Sequence, residues 1–239
     1  MRIRSFIIAY ALVLAILLFA DRRPGVNPQD RYSHVVDLTD GQSATVRGGA
    51  AEAATESKTR ILAPAALIPG TWAAGQIPAE RLIAPLVVLD LNAAAAAAAD
   101  NSAQISPPQI SLDNIAAWES HHGMIPQGAV VAIRQAGDVL RASRLSATLT
   151  TSALPLPITH EAAMFLMEAR YTIGFAVETR VALSSDRTLA RQLALHGDYV
   201  VEGTARFTSL PPTGSLVIVA PSKNKKPGEA PVRILAMVR

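Results

Sequence analysis

The chain has 239 residues, half of them apolar and 17% charged, which is enough to bury a substantial core in one domain, or one plus an appendage, and excludes a disordered polyelectrolyte. Its net charge is +3 and its pI about 9.5. Lys and Arg are scattered apart from Lys223, Lys225 and Lys226, so the aromatic-interleaved basic stripe of a nucleic-acid binder is missing. The absence of cysteine excludes disulfides and thiolate ligands and leaves export open either way.

Arg2 and Arg4 precede an apolar run from Phe6 to Ala20, and charge returns at Asp21-Arg22-Arg23, ahead of Pro24-Gly25. About 15 residues at 1.5 Å each span roughly 22 Å, short of a ~30 Å hydrocarbon core. A positive start followed by a short apolar run is the pattern of a secretory signal, although Leu18 makes a poor cleavage site after Ala20. Residues 1–23 are read as a signal peptide or uncleaved signal-anchor, with a buried core helix as the alternative. The product is then exported (periplasmic or extracellular) or anchored to the membrane by residues 5–20. Residues 24–32, with Pro24, Gly25 and Pro28, form a linker, and 33–239 a single domain.

Val35 to Thr39 is a short β-rich run, and the Gly/Ala/Ser-rich stretch from Gly41 to Ala54 reads as a loop. The apolar run within Arg81–Leu91 has strand length and suits burial on both faces. The alanines at 93–99 are too few to hold a helix alone and read as a surface insertion. Ser111 can cap a helix in which Leu112, Ile115 and Trp118 share a face, and Gly123 ends it. Gly128–Arg134 is a second buried-type strand. Thr159 caps an amphipathic helix to Arg170, with Ala163, Phe165, Leu166 and Ala169 available to the core. Ile173–Thr179 is a strand, Leu189–Gly197 a helix and Tyr199–Glu202 a strand. A turn at Leu210–Gly214 precedes Leu216–Pro221, and Pro231–Ala236 closes the chain as a last strand. Helices and strands alternate in the middle and strands dominate the ends, so the class is α/β or mixed.

Two stretches carry more than secondary structure. Glu56-Ser-Lys-Thr-Arg-Ile-Leu-Ala-Pro-Ala-Ala66, with Ile77–Leu82 just after it, resembles the active-site entry of the metal-dependent cyclase family, which includes bacterial kynurenine formamidase and isatin hydrolase. In that family the first stretch reads His-x-Gly-Thr-His-x-Asp-x-Pro-x-His, and its frame stands here at Thr59 and Pro64. Val35-Val-Asp-Leu-Thr39 resembles the family's opening strand, with Asp40 where a His usually follows. Trp118-Glu119 through Val131 resembles its helix, turn and strand, and Ile173–Thr179 its Gly-x-x-x-Asp-Thr strand with Glu178 for Asp. The resemblance spans roughly residues 33 to 238 and implies the swivelling β/β/α fold.

It also implies a divalent metal, zinc or manganese, held by His and carboxylate groups and activating a water against an amide or lactam carbonyl. The liganding places of the first motif hold Glu56, Arg60, Leu62 and Ala66. The second cluster, a His twelve residues before a Glu, holds Ala190 and Glu202. Glu56 and Glu202 can still coordinate; Arg60 has no lone pair to give, and Leu62, Ala66 and Ala190 are apolar. One guanidinium between carboxylates can neutralise a buried site much as a metal does, so Arg60 is expected to stand in for the metal, paired with Glu202 or Glu56. His34, His121, His122, His160 and His196 are surface or turn groups rather than a rebuilt metal site, with His196 the nearest to Glu202 in sequence. No Gly-x-Ser-x-Gly elbow, cysteine nucleophile, Gly-x-Gly-x-x-Gly or phosphate loop is present.

Two functions follow from the resemblance. One is a non-catalytic family member, without cofactor, that binds a small molecule or partner through the old pocket. The other is a working arylformamidase-type hydrolase with an altered zinc or manganese ligand set. The resemblance further implies a homo-oligomer.

Overall fold

The computed structural model describes residues 32–40, 59–91, 109–135, 153–183, 186–223 and 228–239. The apolar N-terminal run, most of the linker, the loop at 41–54, Glu56 and the alanine run lie outside these residues. Among the described residues no helix is long and apolar enough to cross a membrane.

The chain is mixed α/β and rich in sheet. Its strands are β1 (His34–Asp37), β2 (Arg60–Leu62), β3 (Ile83–Asp90), β4 (Val130–Arg134), β5 (Gly174–Val177), β6 (Tyr199–Glu202), β7 (Ser215–Pro221) and β8 (Glu229–Val238). Three helices alternate with the middle strands: α1 (Leu112–His122), α2 (His160–Ala169) and α3 (Arg187–His196). Strand order is β1-β8-β2-β6-β5-β4-β3-β7, and β7 pairs back onto β8. Seven strands thus close a ring, which removes most of the exposed edges a sheet otherwise presents. The long β8 makes closure possible: Glu229 to Pro231 pairs with β2, its later residues pair with β1 along the same edge, and Val232 to Met237 pairs with β7 on the other. Strands β3, β4, β5 and β6 run parallel, each crossover supplying a helix.

Alternation along the strands sorts side chains into two cores. Inside the ring lie Ile61, Leu86, Val88, Val130, Ala132, Ala176, Val201 and the fully buried Phe207. Outside, Leu62, Val87, Val131, Phe175 and Val200 pack against Ile115, Leu166 and Leu193 of the three helices. The runs on β3 and β4 are buried on both faces, as their continuous apolar character predicts.

The helix boundaries follow local chemistry. Ser111 and Asn114 form a reciprocal cap on α1, Thr159 caps α2, and Asp186 caps α3, which ends on left-handed Gly197. One sequence expectation is corrected. The buried stripe of α2 is Ala162, Ala163, Leu166 and Met167, whereas Ala169 is exposed and Phe165 only partly buried. Phe165 packs against the outer core from its partly buried position and lies under the Arg170 guanidinium, 4.6 Å from its ring centre.

Candidate functional site

The site is built where β2 and β6 run side by side. The two motif residues kept at this entry work through the backbone. The buried Thr59 hydroxyl donates to the carbonyl of Gly203 (2.7 Å) and accepts from the amide of Asp40 (2.8 Å), tying the end of β1 and the end of β6 to the start of β2. Pro64 opens a 3-10 turn, Pro64–Ala66, where its missing N–H costs nothing.

Antiparallel register sets Arg60 opposite Glu202 and Leu62 opposite Val200. Opposed residues point to the same face, so Arg60, Leu62 and Glu202 share the helix-facing side. Glu202 is almost wholly buried. Its carboxylate accepts from the amide of Val181 (2.8 Å) and from Nε of Arg180 (3.4 Å). Burial pushes its pKa above the usual carboxylate range, against the pull of the Val181 amide and Arg180. The half-exposed Arg180 projects from the carboxylate toward solvent. Nη1 of Arg60 donates to Glu229 at 3.1 Å, across the β2–β8 pairing. Glu229 is thus one partner of Arg60 and Arg180 one partner of Glu202, while Glu56, an expected partner of Arg60, lies outside the described residues.

Of the remaining places that the resemblance assigns to metal ligands, two are packed and one is exposed. Leu62 and Ala190 are both 7% exposed and belong to the outer core, with Leu189, Leu193 and Val200. Ala66 is exposed on its turn, in contact range of Gly228. His196 ends α3 just before β6 begins, so the whole of β6 separates it from Glu202. His121 and His122 end α1 and His160 begins α2. Among the described residues no three His, Asp or Glu side chains are grouped to hold a metal ion. Among the described residues of that set, a cationic guanidinium, two buried hydrocarbons and one carboxylate already capped by two donors do not fit a divalent ion.

Comparison with known proteins agrees with this architecture. The Cyclase family model matches residues 26–182. The chain belongs to the cyclase family. It is 30% identical over 171 residues to the isatin hydrolase of Roseibium aggregatum, a match covering 66% of this chain and 61% of that protein's length. Among solved structures, isatin hydrolase A from Ralstonia solanacearum superposes with a TM-score of 0.64 at 26% identity, covering 86% of this chain and 92% of the other. Isatin hydrolase A from Labrenzia aggregata, bound to benzyl benzoate, gives 0.60 at 25% identity over 86% and 93%.

Two participants escaped the sequence reading. Glu229 lies 169 residues beyond Arg60, and only the β2–β8 register brings them together. Arg180 stands one residue past the Ile173–Thr179 stretch that the family resemblance marks, and its charge was the one available signal. Glu178 itself accepts from the amide of Gln135, a strand-end role.

Proposed function

We propose that this protein is an isatin-hydrolase-like member of the cyclase family that has given up metal-dependent amide or lactam hydrolysis and binds a small molecule or partner at the face formed by Arg60, Glu202, Arg180 and Glu229. The observation that carries the reading is the fate of Leu62 and Ala190, both packed into the outer core where the resemblance calls for metal ligands. Loss of outer partners alone costs a metal site 10–100-fold in affinity, and here inner positions are gone. A bound anion fits the face, because Arg180 rests on a buried carboxylate with its own side chain half exposed.

A second reading rests on the retained Glu202 and on the likeness to isatin hydrolases. In it, Glu202 and Glu56 hold zinc or manganese and the chain hydrolyses cyclic or linear amides. The swivelling β/β/α arrangement, export or membrane anchoring through residues 5–20, and homo-oligomer formation complete the proposal. Metal analysis of the purified full chain, together with an isatin hydrolysis assay, separates the two readings. Substoichiometric metal and no turnover are expected; one zinc or manganese per chain with measurable hydrolysis establishes the second reading instead.

A further inference from the structure

A cavity of about 410 Å³ lies beside the outer edge of β3, away from the Glu202 face. It exists because β7 pairs with β3 only from Ile83 to Leu86 and then leaves the edge. The next edge-facing residue, Val88, finds other partners. Its amide donates to the carbonyl of Pro212 (2.9 Å) and its carbonyl accepts from the indole N–H of Trp118 (3.0 Å). That hydrogen bond fixes Trp118 as one wall, with the His122 ring 4.9 Å away and tilted by 49°. Leu89 and Ile110 extend the apolar lining.

The polar groups of this cavity are unequal. Asp90 is the one carboxylate among the lining residues, and Arg134 neutralises it, with Nε and Nη2 donating to the same oxygen at 3.1 and 2.6 Å. Nη1 of Arg134 has no hydrogen-bond partner among the described residues. Nδ1 of His121 donates to the carbonyl of Ala117 (2.7 Å). Arg134 therefore offers a ligand its remaining Nη1 donor, set against flat aromatic walls. A volume of this size falls at the small end of ligand pockets.

We infer that this cavity is a binding site for a small planar aromatic anion, its ring against Trp118 and His122 and its carboxylate on Arg134. The site stands independently of the proposed function. Strands β3 and β6 are separated by β4 and β5, so three strand spacings, roughly 14 Å, divide it from Glu202.

Calorimetric titration of the purified full chain with 2-naphthoate tests this. One-site binding is expected, at least tenfold weaker for cyclohexanecarboxylate, which lacks the aromatic ring, and for 2-naphthalenemethanol, which lacks the charge. Arg134→Met is expected to weaken 2-naphthoate binding tenfold or more. Arg134→Lys, which keeps a cation beside Asp90, loses less. Should Arg134→Met not fold, the exposed substitution His122→Leu takes its place and is expected to weaken binding severalfold. Arg180→Ala is expected to leave binding unchanged. Failure of 2-naphthoate to bind, equal binding of the uncharged analogue, indifference to both cavity substitutions, or loss of binding in Arg180→Ala overturns the inference, the last by moving the ligand to the Glu202 face.

Discussion

Asp198 shows how a single buried residue ties the fold to pH. Its side chain is wholly buried, it accepts from Nη2 of Arg81 at 2.8 Å, and its second oxygen has no partner. Burial pushes its pKa from the usual 3.8 up to about 8, although Arg81 pulls the other way. The sign follows directly. Between about pH 4 and 8 the folded chain keeps a proton that the unfolded chain has released, so Asp198 stabilises the fold fully below pH 4 and this contribution falls as pH rises through 8. Asp198→Asn keeps the shape and one acceptor for Arg81 but cannot titrate. Urea unfolding across pH 4–8 is expected to show a smaller decline for the variant than for the parent. Glu202, raised in the same direction, remains in both proteins and cancels in the comparison. Equal slopes overturn the assignment. The neighbouring Tyr199 hydroxyl donates to the carbonyl of Arg81 (2.8 Å), so this cluster also holds the 3-10 turn at 79–81 against the start of β6.

Between elements, the tightest seam is that of β5 and β6. Gly174 and Tyr199 are register partners, and a Cβ on Gly174 would stand 2.7 Å from the Tyr199 ring and 2.8 Å from its carbonyl oxygen. The oxygen is backbone and cannot swing aside, so glycine is required here for close approach rather than for a special φ. Gly174→Ala is expected to cost about 1–3 kcal/mol, the range of overpacking, read as a lower denaturation midpoint with little change in slope. An unchanged midpoint means that the strands separate more easily than this register implies. Such seams were partly legible in the sequence, which gave Gly174 inside an apolar run but not the ring above it. The same division holds for the elements generally. Caps, glycine stops and apolar runs are local signals, and β3, β4 and the three helices stand close to where Ser111, Thr159, Gly123 and the valine runs put them. The short β2 gives no periodicity, since three residues cannot display one. The face of α2 differs from expectation at Ala169, which is exposed, and at Met167, which is buried, a tertiary choice that helical spacing alone does not contain.

At the scale of the whole molecule, the residues that carry the family resemblance divide into a frame and a proposed site. Thr59 and Pro64 serve the closed ring itself, through hydrogen bonds to Gly203 and Asp40 and a tight turn, so they are needed whatever the site does. On the proposed reading Arg60, Leu62 and Ala190 stand where the resemblance calls for metal ligands, and Leu62 and Ala190 pack into the outer core there. The residue types at those positions are read directly from the sequence; the ion-pair partners are not, because Arg60 meets Glu229 and Glu202 meets Arg180 only after β8 and the chain beyond β5 are laid against their neighbours. Restoring the ligands should therefore reverse the exchange. In the combined variant Arg60→His, Leu62→Asp and Ala190→His, a carboxylate and an imidazole enter a packed apolar layer, at a cost of about 3 kcal/mol or more when unpaired. A metal that binds only the folded chain repays this by mass action, about 4 kcal/mol at a thousandfold excess over Kd. Melting in the presence of a chelator is expected to fall well below that of the parent, and zinc is expected to raise it for the variant while leaving the parent unmoved. A parent that melts lower in chelator, or higher in zinc, already holds a metal, and the loss-of-activity reading then fails.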